Sequence, residues 1–161
     1  MNSRHLLLCG GLALALVGMS YGLWYAVFAE HQALDGMGRS LTVGFQAAAE
    51  KNSAAREQAL LAYRQAKYAY DRQVDVHGHW IGLAMLLLVL AMGQDRIGFS
   101  PKWKLLLAWI LVLGSGLFPL GVLLETWSEG SFPRALAILG SAMLTIALAG
   151  MAAGFLRREN S

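Results

Sequence analysis

Three of the four histidines in this 161-residue chain lie where apolar and polar stretches meet. His31 follows the first apolar stretch, whereas His77 and His79 begin the second. Acidic residues occupy the same kind of boundary: Glu30, Asp75 and Glu125. A neutral imidazole nitrogen is a good metal ligand near pH 7, and imidazole combined with carboxylate suits copper and zinc. These residue types therefore predict a cofactor or metal site built from His31, His77, His79, Glu30 and Glu125.

Helical geometry restricts which of these histidines can act together. Two residues that are two positions apart on a helix point about 200° apart, so His77 and His79 cannot both face one site. His79 shares its face with Gly82, which leaves room for a flat or bulky group. A chain that folds back about residue 52 brings His31 and His77 within about one helical turn of the same height. We therefore expect His31 to pair with one of the two later histidines.

The stretch His77-Gly78-His79-Trp80-Ile81-Gly82-Leu83-Ala84-Met85 resembles the His-Gly stretch that opens a haem-ligating span in haem–copper oxidase subunit I. The resemblance is confined to these residues. It implies that His77 is an axial ligand of a b-type haem, with His31 as the opposite ligand. The chain has too few apolar spans and too few histidines for that family's complete catalytic centre. Two alternatives stay open: a copper or zinc site, or no cofactor and a structural role for the same residues.

The composition indicates the environment in which these residues work. Hydrophobic residues make up 57% of the chain and charged residues only 14%, against about 25% charged in an average soluble domain. Intrinsic disorder requires few apolar residues, and a nucleic-acid-binding module requires a dense basic face. Both classes are therefore excluded, and nucleic acid is not an expected partner.

The apolar residues fall into four blocks, each close to the ~20 residues that cross a bilayer as a helix. They predict membrane spans over about residues 6–28, 76–93, 104–125 and 135–156. Two small-residue motifs predict close helix packing: Gly18-x-x-x-Gly22 and Gly150-x-x-x-Gly154. The expected fold is an all-α integral membrane protein with a four-transmembrane-helix bundle.

Charges in the short connections predict the orientation of these spans. The connection between the second and third spans carries Arg96, Lys102 and Lys104, whereas the next connection carries Glu125, Glu129 and only Arg134. Positively charged connections stay on the cytoplasmic side of a membrane. We therefore expect a multi-pass protein of a bacterial-type inner (plasma) membrane, with both termini in the cytoplasm.

The segment from about residue 30 to 75 is too polar to cross a membrane and too long for a structureless loop. It predicts an extracytoplasmic helical hairpin that extends spans 1 and 2, with Asn52-Ser53 supplying the turn and a helix cap. No proline interrupts residues 53–92, so the second arm is expected to continue into span 2 as one helix. One face of that arm is predicted to pack on the first arm: Leu60, Tyr63, Lys67, Tyr70, Val74 and His77.

No familiar catalytic motif accompanies these features, so we do not expect an enzyme. The expected function is a small polytopic accessory or assembly subunit of a respiratory electron-transfer complex, with haem b or a metal at its outer membrane face. Its partners would be the lipid bilayer and other membrane subunits, and a homo-oligomer is left open. Two other functions also stay open: a stand-alone haem- or copper-binding membrane redox protein, and a scaffold or sensor whose hairpin binds a partner.

Overall fold

The structure is a computed structural model that describes residues 2–127 and 130–159, and these residues form helices and turns without a β-strand. Five α-helices follow in chain order: α1 Ser3–Trp24, α2 Glu30–Ala49, α3 Ser53–Gly93, α4 Pro101–Glu125 and α5 Ser131–Glu159. A π-helical turn, Tyr25–Ala29, joins α1 to α2, and a 3₁₀ turn, Gln94–Arg96, follows α3. Glu129, in the connection between the third and fourth predicted spans, lies outside the described residues.

Four helical runs among these residues are long and apolar enough to cross a membrane: Ser3–Ala49, Ser53–Arg96, Pro101–Glu125 and Ser131–Arg157. The predicted class, an all-α chain with four potential membrane spans, is confirmed at this level. The prediction that the proline-free segment forms one helix is also confirmed, because α3 extends unbroken over 41 residues.

The chain divides into two compact units. The first, called here the bundle unit, contains α1 up to Met19 and everything from Val76 onward, including α4 and α5. The second, called the hairpin unit, contains Ser20–Asp75 and therefore α2 and the first part of α3.

The bundle unit has one contiguous apolar core to which all four of its helices contribute. Its most deeply buried large side chains are no more than 1% exposed, and they come from α1, α3, α4 and α5 in turn: Leu7, Leu87, Leu111 and Met151. Such interiors are packed as densely as organic crystals, so each helix is fixed by close contact with the others.

The closest contact in the bundle unit joins α4 to α5 through glycines. A Cβ added at Gly121 would lie 2.7 Å from the Cα of Ala137, and one added at Gly140 would lie 2.7 Å from the Cα of Phe118. Real side chains cannot occupy such positions, so these two helices approach backbone to backbone. Small residues at helix interfaces permit this packing in membranes.

The hairpin unit turns where the sequence predicts. The N–H groups of Asn52 and Lys51 donate to the carbonyls of Ala47 (2.8 Å) and Ala48 (3.1 Å), and Lys51 adopts a φ of 55°. This is the Schellman arrangement that ends many helices. The side-chain oxygen of Asn52 then accepts the Ala55 N–H at 3.1 Å and caps α3.

The predicted packing face of the second arm is only partly right. Leu60 and Val74 are 45% and 43% exposed, and Lys67 is exposed as well. Small residues are the ones almost fully covered, namely Ala47 and Ala59, whereas Leu60 and Tyr63 line an open cavity together with residues of α2. Small side chains let two helix backbones approach closely, and the larger side chains then remain at the edges of the contact. The ring of Tyr70 packs on Tyr25, which lies in the π-helical turn before α2 and not on the first arm.

Candidate functional site

His77 lies on α3 in the bundle unit, half-buried beside α1. Its Nδ1 is 2.9 Å from the carbonyl oxygen of Gly18. The approach depends on the absence of a side chain at Gly18, where an added Cβ would lie 3.0 Å from both Trp80 Cβ and Ile81 Cδ1. The glycine that predicted close packing thus also gives His77 access to a backbone carbonyl.

This hydrogen bond fixes the tautomer of the neutral His77 ring. A carbonyl oxygen only accepts, so Nδ1 must carry the proton and donate it. In the neutral ring, Nε2 then keeps its lone pair. Histidines that bind metals or haem are commonly oriented in this way, because the hydrogen bond sets the tautomer and makes the opposite nitrogen a better ligand.

His79 has different neighbours. Its ring stands edge-on to Phe118 of α4, with ring centroids 4.8 Å apart and planes at 76°. The two histidines therefore contact different helices, as their spacing on α3 predicts. The space predicted beside Gly82 is present, because a Cβ added at Gly82 or at Gly78 would meet no atom within 4 Å.

The remaining predicted ligands are divided between the two units. Glu125 is the last residue of α4 in the bundle unit and is half-buried. Glu30 and His31 begin α2 in the hairpin unit, where Glu30 is half-buried and His31 is exposed. The structure thus places His77, His79 and Glu125 in one unit, whereas Glu30 and His31 lie in the other. The pairing of His31 with a later histidine stays a prediction.

A metal centre usually needs three or four protein ligands. Across residues 2–127 and 130–159, no three His, Cys, Asp or Glu side chains come together as a metal-holding group. The copper or zinc alternative therefore stays a prediction that rests on the sequence.

Tyr25 is a candidate that the sequence reasoning did not single out. It begins the π-helical turn, is only 6% exposed, and stacks on Tyr21 with ring planes 9° apart. Within the described part of the chain, its hydroxyl has no hydrogen-bond partner. Buried hydroxyls are normally paired, and π-helical turns are frequent at functional sites. The only sequence signal was two tyrosines four residues apart, which is ordinary at a membrane boundary.

Comparison with protein-family models, with curated proteins and with solved structures finds no match for this chain.

Proposed function

We propose that this chain is a small integral membrane subunit of a respiratory electron-transfer complex, and that it binds b-type haem through His77. The observation that carries the proposal is the hydrogen bond from His77 Nδ1 to the Gly18 carbonyl. It leaves Nε2 as the ring's ligand atom and holds the ring in one orientation.

The membrane part of the proposal is supported by the four long apolar helical runs. Basic residues in the connection between α3 and α4 support an orientation with both termini in the cytoplasm of a bacterial-type cell: Arg96, Lys102 and Lys104. In that orientation His77 lies at the outer boundary of the inner membrane. Large apolar side chains on α3 face lipid or another subunit, since Val89 and Met92 are exposed.

The surroundings of His77 fit a planar group. Gly78, the next residue, leaves open space beside His77, and Gly82 leaves open space on the face of His79. Half-burial of His77 limits its contact with water, and the carbonyl of Gly18 increases the electron density on its ring. Bound haem would supply one-electron transfer. The protein's contribution is to hold the His77 ring in place, fix its tautomer and shield its ligand nitrogen from water.

An absorption spectrum of the detergent-purified protein tests the haem proposal. We expect a Soret band that disappears in His77→Ala, because that variant removes the ligand nitrogen. His5→Ala is the matched control, since His5 is an exposed histidine whose ring contacts Asn2 at 2.8 Å. If His31 is the opposite ligand, His31→Ala should shift the band rather than abolish it.

A colourless preparation from haem-replete cells would overturn the haem proposal. Elemental analysis of the same sample then distinguishes the remaining candidates. Copper or zinc bound in proportion to protein, and lost in His77→Ala, would support the metal alternative. A metal-free preparation would leave these residues with a structural role.

Assembly with other subunits needs a separate test. After extraction in a mild detergent, the chain should migrate on a native gel with other redox-active membrane subunits, identified by mass spectrometry. Migration as a single chain, or as a complex of identical chains, would contradict the proposed accessory role without affecting the haem proposal.

A further inference from the structure

The open cavity between α2 and α3 lies within the hairpin unit, close to the turn that joins the two helices, and has a volume of about 440 Å³. Most of the lining of this cavity, called here the hairpin groove, is apolar and includes Leu41, Gly44, Phe45, Ala48, Leu60 and Tyr63. Phe45 is 74% exposed, and Leu41 and Leu60 are 43% and 45% exposed. Exposed apolar patches with polar rims usually mark sites of interaction.

The exposed side of α2 has the periodicity of a helix that packs against another helix. Its exposed residues recur at alternating steps of four and three: Leu34, Gly38, Leu41, Phe45 and Ala48. Helices pack against each other as coiled coils through this 3.5-residue repeat. The contact of α2 with α3 uses a different face, where an added Cβ at Gly44 would lie 3.6 Å from that of Ala59. The exposed stripe is therefore a second packing face, and its period fits a helix as the occupant.

The charges near the turn indicate which chain supplies that helix. Arg56 and Glu57 are adjacent, exposed residues that line the groove, and Glu50 and Lys51 at the turn again supply one charge of each sign. This end of the hairpin is therefore neutral, and it offers no excess charge to a strongly acidic or basic partner. A surface that carries both signs side by side is complementary to a copy of itself, as a two-fold interface requires.

A two-fold axis parallel to α2 and α3 accommodates both the apolar stripe and the charges. Such an axis places α2 of each copy against α3 of the other, so that neighbouring helices are antiparallel, as in many four-helix bundles. Phe45 and Leu60 of both copies then contribute to one common core. The axis also keeps equivalent residues at equal heights, so Arg56 of one copy lies level with Glu57 of the other.

We propose that the hairpin groove binds the same groove of a second copy of this chain, and that the two hairpin units together form a four-helix bundle. The contact covers about ten residues of each helix, or about 15 Å. It is therefore smaller than an interface of standard size, which takes about 800 Å² from each partner, and the dimer should dissociate on dilution in the micromolar range. The inference rests neither on haem binding nor on assembly with other subunits.

Sedimentation equilibrium of the full chain, in a detergent matched in density to the solvent, tests this proposal. The wild-type protein should show an equilibrium between monomer and dimer. Phe45→Gln should weaken the dimer about thirtyfold, the loss expected for an aromatic residue at the centre of an interface. Phe45 is exposed in the single chain, so the variant should keep the wild-type helix content, which circular dichroism measures.

Val43→Gln is the matched control for Phe45→Gln. Val43 is also exposed on α2, but it lies two positions away, about 200° around the helix, and does not line the groove. Dimerisation of this variant should equal that of the wild type. Equal dimerisation of the wild type and Phe45→Gln, or a wild-type chain that stays monomeric at every concentration, overturns the proposal.

Charge exchange at the groove distinguishes a second copy from a different partner. Arg56→Glu and Glu57→Arg each replace two attractive pairs by two repulsive pairs, so each variant should weaken the dimer about tenfold at low salt. The double variant restores opposite charges across the two-fold axis and should recover most of the loss. A double variant as weak as the single variants overturns the proposal, in favour of a different protein in the groove. A colourless preparation that dimerises through Phe45 would contradict the haem proposal alone.

Discussion

The bundle unit and the hairpin unit both bring helices together through small residues, but with opposite consequences for their large side chains. In the bundle unit, Gly121 and Gly140 let α4 and α5 touch, while side chains such as Leu111 fill a common core. In the hairpin unit, Ala47 and Ala59 form the buried contact, and Phe45 remains 74% exposed. Two helices alone have no third layer to cover larger side chains, and Tyr25, buried against the rings of Tyr21 and Tyr70, is an exception.

The difference indicates where each unit's stability originates. In the membrane proposed above for the bundle unit, helices gain little from the hydrophobic effect against each other, so close van der Waals contact and backbone approach would hold them together. In the proposed extracytoplasmic position, the two-helix hairpin would depend on its turn, its caps and a narrow apolar contact, because isolated helices are only marginally stable in water. We therefore expect the bundle unit to be intolerant of added volume and the hairpin unit to be tolerant of it.

The largest effect is expected at the α4–α5 contact. In Gly121→Leu the first side-chain carbon would lie 2.7 Å from the Cα of Ala137, so the helices must separate. We expect a loss of about 3 kcal/mol in the free energy of unfolding, at the upper end for overpacked cores. Detergent-solubilised protein can be followed by circular dichroism during thermal unfolding.

Gly116→Leu on the same helix is the control for that prediction. A Cβ at Gly116 meets no atom within 4 Å, so any loss in the free energy of unfolding should stay within about 0.5 kcal/mol. Equal losses in the two variants would show that α4 and α5 are not held by backbone approach, and the proposed contrast between the units would be lost.

A smaller effect is expected from alanine substitutions that should differ in sign between the units. A Cβ at Gly18 would lie 3.0 Å from Trp80 and Ile81, so Gly18→Ala should destabilise the bundle unit by about 1 kcal/mol. A Cβ at Gly44 would lie 3.6 Å from that of Ala59, which is an ordinary contact. Gly44→Ala should therefore stabilise the hairpin unit by up to about 1 kcal/mol, because alanine favours helix.

Hydrogen exchange measured by mass spectrometry resolves these two changes unit by unit. Gly18→Ala should increase exchange near Trp80, whereas Gly44→Ala should slow exchange between residues 40 and 62. Faster exchange in both variants would mean that the hairpin arms are packed as tightly as the bundle helices.

The sequence predicted the features of this fold that depend on local information. Apolar blocks of membrane length, the lack of proline before residue 92 and the turn at Asn52 correctly placed the helices. The packing face of the hairpin was less predictable. Hydrophobicity alone favours Leu60 over Ala59 as the buried residue, although a short distance between the two helices favours the smaller side chain. The His77 contact joins residues 59 positions apart, so sequence spacing identified the histidine but not the carbonyl that orients it.

The smallest effect is expected at an ion pair on the hairpin unit. Lys67 Nζ lies 2.6 Å from Asp71 Oδ2, one helical turn away, and both side chains are about half exposed. The hydrogen bond to Asp71 raises the pKa of Lys67 above its ordinary value of 10.5. A raised lysine pKa means that the folded state favours the charged form, so the pair stabilises the helix fully below pH 10.5. That contribution is lost as the pH rises through the folded-state pKa.

Lys67→Gln isolates this contribution, because it keeps a long polar side chain and removes the charge. The variant should unfold at a slightly lower temperature than the wild type at neutral pH, and the difference should shrink above pH 10.5. Added salt should shrink it as well, since exposed charges are screened. A difference that persists at high pH would assign the role of Lys67 to packing of its aliphatic chain. The stability of the hairpin unit would then depend on packed side-chain volume, and the two units would be more alike than we expect.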